Sequence, residues 1–177
     1  SKNEIIRGLD DFGGVPGRFQ LIHAGQPFTV VVDYAHTPDG LENVLKTARQ
    51  ITRGKLWVIF GAGGDRDRTK RPIMGKIALD LADKIIVTSD NPRSEDPEAI
   101  IKDIEKGLVN PPADKEIHKI SDRREAIEFA MAHARPDDVV MIAGKGHEDY
   151  QILKDRTIHF SDAEVVRDYF QKGKTHA

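Results

Sequence analysis

Four short apolar runs, each closed by a polar loop, constrain this chain more than any other feature. They are Phe28-Thr29-Val30-Val31-Val32, Lys55-Leu56-Trp57-Val58-Ile59-Phe60, Lys84-Ile85-Ile86-Val87 and Asp138-Val139-Val140-Met141-Ile142-Ala143. Runs this short and this continuously apolar suit strands covered on both faces. The first three lead through their loops into apolar patterns of helical spacing. Strands alternating with helices predict an α/β fold: a doubly wound, mostly parallel, Rossmann-like sheet with right-handed crossovers. Antiparallel strands belong at its edges. Residues 19–23 and 28–32, separated by Ala24-Gly25-Gln26-Pro27, read as a β-hairpin, and residues 151–153 and 157–160 as another around Lys154-Asp155-Arg156. Residues 116–120 form a further short strand.

The helix starts are marked. Thr37 reads as an N-cap with Pro38 at the first helical position, followed by Leu41, Val44, Leu45, Ala48 and Ile51 on one face. Pro72 starts a helix with Ile73, Ile77 and Leu81 on one face. Pro97 opens one that buries Ile100, Ile101, Ile104 and Leu108, stopped by Asn110-Pro111-Pro112. Asp122 with Glu125 makes a capping-box-like pattern before Ile127, Ala130, Met131 and Ala134, and Ser161 with Glu164 caps a last helix through Val165, Val166, Tyr169 and Phe170.

At 177 residues the chain fits one domain of ordinary size. Residues 1–14 read as a lead-in helix (Ile5, Ile6 and Leu9 on one face, broken by Gly13-Gly14), residues 15–171 as the domain and residues 172–177 as a frayed polar tail. The net charge of −2 gives no general argument for nucleic acid or an anionic membrane surface. With no cysteine, disulfides and thiol catalysis are excluded, and a zinc site would have to use His and carboxylates; no metal site is expected. No apolar run approaches the roughly 18 residues of a membrane span, and the N-terminus has no signal-peptide core. The expectation is a soluble cytoplasmic domain.

The polar clusters fall in four loops, each at the carboxyl end of a strand, where open α/β sheets bind ligands. After residues 84–87 comes Asp90-Asn91-Pro92-Arg93, stiffened by its proline. Arg93 suits a bidentate grip on a carboxylate, and Asp90 and Asn91 suit an ammonium group, so the loop suits a zwitterionic amino acid. A capped turn with a solvated arginine would look the same in isolation. After residues 28–32, Asp33 is placed to accept from ribose hydroxyls and Tyr34 or His36 to lie against a base; Tyr34 in the core with His36 on the surface is the alternative. After residues 55–60, Gly61-Ala62-Gly63-Gly64 precedes Arg66, Arg68, Lys70 and Arg71, resembling a phosphate cradle, although no G-x-x-x-x-G-K-[ST] is present. After residues 138–143, Gly144-Lys145-Gly146-His147-Glu148 offers close backbone approach, with Glu148 for an ammonium and Lys145 or His147 for phosphate.

Five motifs in order (Gly14-Val15-Pro16-Gly17-Arg18, Val32-Asp33-Tyr34-Ala35-His36-Thr37-Pro38, Gly61-Ala62-Gly63-Gly64-Asp65-Arg66-Asp67, Asp90-Asn91-Pro92-Arg93 and Gly144-Lys145-Gly146-His147-Glu148) resemble the C-terminal domain of the Mur ligases. The resemblance covers nearly the whole chain from Gly8. It is nearest the branch that adds the third residue to UDP-N-acetylmuramoyl-L-alanyl-D-glutamate in peptidoglycan precursor synthesis. It implies an ATP- and Mg2+-dependent ligase. It also implies that the D-N-P-R form accompanies meso-diaminopimelate. By resemblance, Arg66, Asp90, Asn91, Pro92, Arg93, Gly144 and Glu148 bind that amino acid, while Arg18, Asp33, Tyr34 and His36 lie near the ATP nucleoside. The family's phosphate loop, metal ligands and UDP-binding domain belong to segments preceding this one, so the chain alone is expected to be inactive; no catalytic base stands out in it. Three alternatives remain: a lysine-adding relative, a folylpolyglutamate synthase-like domain, and a non-catalytic nucleotide-binding module. The amino-acid reading requires Arg93 to face a crevice shared with Arg66 and Glu148.

Overall fold

The computed structural model describes residues 15–174. The expected lead-in helix lies outside the described residues. A six-stranded sheet runs in the order β1-β2-β6-β3-β4-β5. Its strands are β1 (Gln20–Leu21), β2 (Thr29–Asp33), β3 (Leu56–Phe60), β4 (Lys84–Val87), β5 (Glu116–Lys119) and β6 (Val139–Ala143). β1 is antiparallel to β2, with Gln20 opposite Val32, and every other pairing in this sheet is parallel. The helices are α1 (Pro38–Ile51), α2 (Lys70–Leu81), α3 (Pro97–Glu105), α4 (Arg123–His133) and α5 (Asp162–Lys174). A separate hairpin pairs β7 (Tyr150–Ile152) with β8 (Thr157–His159).

Alternation along the strands divides the core in two. Val31, Leu56, Val58, Phe60, Ile85, Val87 and Met141 pack beneath α1, α2 and α3. Val30, Val32, Trp57, Ile59, Ile86, Val140 and Ile142 pack beneath α4 and α5. Since neighbouring residues of a strand face opposite ways, a central strand must be apolar throughout. Asp138, buried where β6 begins, is an exception with a reason. Its carboxylate accepts from Lys55 N (2.7 Å), Trp57 Nε1 (3.0 Å) and Arg135 N (3.0 Å), tying β6 to β3.

β6 enters between β2 and β3 from the α4 side, whereas α1 carries the chain over the opposite face. The connections therefore diverge above the carboxyl ends of β2, β6 and β3, and the strand-end loops part there to leave a crevice.

Several helix expectations need correction. α2 starts at Lys70, two residues before Pro72, and buries Met74, Gly75, Ala78 and Leu79 while Ile73 is exposed. α3 ends at Glu105, short of the proline pair. A Cβ on Gly75 would run into Ile104 O, and one on Gly107, in the turn just after α3, into Pro72 O, so the backbones of α2 and of the end of α3 meet directly. α5 continues through Lys174, so residues 172–174 are helical rather than tail. The Thr37 and Asp122 caps form as expected, accepting from Gly40 N and Glu125 N, and Asp96 caps α3 by accepting from Glu98 N.

Candidate amino-acid and nucleotide site

A cleft of about 380 Å³ opens above the carboxyl ends of β2, β3, β4 and β6, within the usual range for small-molecule sites. Two of its walls are bonded to each other. Gly64 N donates to Asn91 O (2.9 Å), Arg93 Nη1 donates to Gly64 O (2.9 Å), and the Asp65 carboxylate accepts from Ser94 N (3.2 Å) and Oγ (2.6 Å). A Cβ at Gly64 would collide with Pro92 O, so only glycine permits this approach. Arg93 and Asp65 both take φ of 54°, a left-handed conformation non-glycine residues rarely hold without support.

Glu95 closes the junction. It accepts from Asp65 N (2.7 Å) and pairs with Arg71 (2.8 Å) and Arg68 (2.9 Å). Its hydrogen bond to the Arg71 guanidinium is the main cause that holds its carboxyl down to about 2. Arg71 is buried and also pairs with Asp103 (3.0 Å). Of the four cations expected at the phosphate-cradle-like loop, only two are free of ion pairs among the described residues. Arg71 and Arg68 are occupied, while Arg66 and Lys70 line the cleft with no ion-pair partner among the described residues.

Arg93 lines the same cleft as Arg66 and Glu148, and it too has no ion-pair partner among the described residues. Asp90 is only 7% exposed, lines the cleft, and its carboxylate accepts no hydrogen bond from the described residues. A buried carboxylate with no hydrogen-bonded cation is costly, and the Arg123 guanidinium acts on Asp90 only through space. The Asn91 amide is largely committed: Oδ1 accepts from Lys145 Nζ (3.1 Å) and Ile152 N (2.9 Å), and Nδ2 donates to Glu148 Oε2 (3.1 Å). One N–H of Asn91 remains.

Lys145 does not face phosphate as expected. It is fully buried, bonded to Asn91 and to Glu148 Oε2 (3.2 Å), with the Tyr150 ring centroid 5.5 Å away. The phenol of Tyr150 is pushed up, first by the negative charge of Glu148. His147 instead turns to the other side of its loop, its ring 5.4 Å from Tyr34.

That side carries the residues expected near a nucleoside. The Arg18 guanidinium lies 5.1 Å from the Tyr34 ring centroid, and His36 lies 4.6 Å from it, ring to ring. Tyr34 is therefore not a core residue. The Asp33 carboxylate accepts from Phe19 N (2.7 Å) and Ala35 N (2.8 Å), fixing the turn and leaving further lone pairs.

The residue that sequence reasoning missed is Arg123. It is wholly buried and pairs with the wholly buried Asp162 (2.8 Å). It also donates to Ser89 O (3.3 Å) and Ala143 O (3.1 Å), the carbonyls just before Asp90 and Gly144. Burial works against its charge, but Asp162, and beyond it Asp90 and Glu148, hold the guanidinium protonated. An arginine in a first helical turn gives no sequence signal of this; its partner is 39 residues away.

Fold and cleft together define an open α/β domain whose carboxyl-end crevice is lined by cations and a carboxylate that have no ion-pair partner among the described residues. The chain belongs to the Mur ligases: the model of the family's glutamate ligase domain, "Mur ligase, glutamate ligase domain", matches residues 17–146. It is 55% identical over 170 residues to the UDP-N-acetylmuramoyl-L-alanyl-D-glutamate–2,6-diaminopimelate ligase of Clostridium tetani (strain Massachusetts / E88), covering 95% of this chain and 34% of that protein. To the ligase of the same name from Bacillus licheniformis it is 56% identical over 163 residues, covering 92% of this chain and 33% of the relative. The chain thus spans about a third of the length of these curated relatives. A solved structure of a ligase of that name superposes with a TM-score of 0.84 at 48% identity, over 91% of this chain and 32% of that one. A folylpolyglutamate synthase/dihydrofolate synthase from Yersinia pestis CO92 shares the fold alone, at 24% identity and a TM-score of 0.59 over 83% of this chain and 32% of that one.

Proposed function

We propose that this chain is the amino-acid-selecting part of an ATP-dependent ligase that joins meso-diaminopimelate to UDP-N-acetylmuramoyl-L-alanyl-D-glutamate. The supporting observation is the cleft's charge pattern: among the described residues Arg93 and Arg66 have no ion pair, and they share the cleft with Glu148 and with an Asp90 carboxylate that accepts no hydrogen bond. The distal head of diaminopimelate is a zwitterion. Its carboxylate pairs with Arg93, Arg66 and the remaining N–H of Asn91; its ammonium pairs with Asp90 and Glu148, close to Gly144. Pro92 fixes the corner that presents Arg93. Lysine lacks the distal carboxylate and would leave the half-buried Arg93 guanidinium and the buried Asn91 N–H without their partner, which is how polar sites reject analogues.

ATP lies where Tyr34 and His36 line the same cleft, its base against these two residues and Arg18 and its ribose near Asp33. Among the described residues no three His, Cys, Asp or Glu side chains group to hold a metal ion, and the Mg2+ that accompanies the nucleotide would take its protein ligands mainly from the segments outside this chain. Amide formation needs the glutamate carboxylate activated as an acyl phosphate. A neutral amine then attacks, phosphate leaves, and the nitrogen loses a proton. This chain supplies the amine's seat. The rest of the reaction belongs to segments outside it.

Calorimetry tests the reading. meso-Diaminopimelate should bind this polypeptide, and Arg93→Ala should weaken binding at least 100-fold while leaving binding to ATP unchanged. Binding of ATP but not of diaminopimelate would favour a nucleotide-binding module instead. No ATP- and diaminopimelate-dependent phosphate release is expected from this polypeptide alone, and finding it would show that the chain suffices for catalysis.

A further inference from the structure

The β7–β8 hairpin stands apart from the main sheet, yet it bonds to three of the four residues of the Asp90–Arg93 loop. Gln151 Nε2 donates to Asp90 O (2.7 Å), Ile152 N donates to Asn91 Oδ1 (2.9 Å), and Arg93 N donates to Ile152 O (3.1 Å). Only Pro92, which has no N–H, is passed over. Gln151 is 7% exposed, and a buried side-chain amide aimed at a buried main-chain carbonyl has few alternative partners. Arg93 holds its left-handed φ of 54° with its N–H fixed by this hairpin and its guanidinium fixed by Gly64 O. The hairpin also carries Tyr150, against which Lys145 sits.

We propose that the β7–β8 hairpin is the specificity brace of the cleft, and that Gln151 is its positioning residue. It holds Asp90 and Arg93 at the separation that fits both charges of a distal amino-acid head. This rests on the cleft reading above and adds to it what sets the discrimination. Gln151 touches no ligand; it acts through the Asp90 carbonyl. Releasing that carbonyl lets the strained corner relax, and Arg93 moves off the carboxylate's position. meso-Diaminopimelate and L-lysine differ only in the distal carboxylate, so the ratio of their affinities reports where Arg93 stands, whereas general destabilisation lowers the active fraction for both alike.

The test is calorimetry of both amino acids against the full 177-residue chain and its Gln151→Leu variant, in which the leucine fills the same space without a donor. The expected result is a roughly 10- to 100-fold loss of diaminopimelate affinity with a clearly smaller loss for lysine, which shares the ammonium held by Asp90 but not the carboxylate held by Arg93, so that discrimination falls. Should Gln151→Leu fail to fold, hydrogen exchange on the wild-type chain decides. The amides of Arg93 and Ile152 should be protected together, and saturating diaminopimelate should raise both protections in step. Discrimination retained in Gln151→Leu, or Arg93 and Ile152 amides that exchange as freely as an exposed turn, overturns the brace alone. A wild-type chain that binds no diaminopimelate overturns the cleft reading and the brace with it.

Discussion

At the residue scale, the cleft is built on charges whose partners are distant in sequence. Arg71 meets Glu95 across 24 residues and Arg123 meets Asp162 across 39. Cutting the second pair with Asp162→Asn leaves a buried guanidinium uncompensated, and about 3–5 kcal/mol of stability should be lost in urea unfolding. Glu95 makes a prediction of opposite visibility. Its folded value of about 2 lies below the ordinary 4.5, so its contribution is complete above about pH 4.5 and drains away as pH falls towards 2. Thermal unfolding followed from pH 6 to 2 should show this slope in the wild type and a loss smaller by about 2–3 kcal/mol in Glu95→Gln. Sequence showed which residues at the cleft were charged, and Arg66, Asp90, Arg93 and Glu148 do share it. It did not show that Arg71 and Lys145 are buried and already bonded, because a cation's role depends on what the fold brings beside it.

At the element scale, the alternation of apolar runs and helical patterns foretold the strands and both hairpins, since covering a sheet on two faces requires that pattern. Helix ends and faces were less legible for a physical reason. α2 meets the end of α3 and the turn after it through Gly75 and Gly107, where absence of a side chain is the contact, and hydrophobic periodicity records only side chains. Gly75→Ala should therefore cost about 1–3 kcal/mol by forcing the helices apart, measured as a lowered melting temperature, even though alanine is the better helix former. A neutral or stabilising result would mean that the two backbones are free to separate.

At the scale of the whole molecule, the inserted β6 decides where everything else happens, because it makes the strand-end loops part above the centre of the sheet. The order of strands was not readable from the chain, as parallel strands joined through helices pair at distances no local pattern encodes. The bonding between the Gly61–Gly64 turn and the Asp90–Arg93 corner has a kinetic corollary. A ligand arriving here finds its berth already shaped, so docking requires no prior rearrangement. In stopped-flow mixing, the observed rate should climb in proportion to ligand concentration without levelling off, and release, rather than capture, should be what distinguishes one amino acid from another.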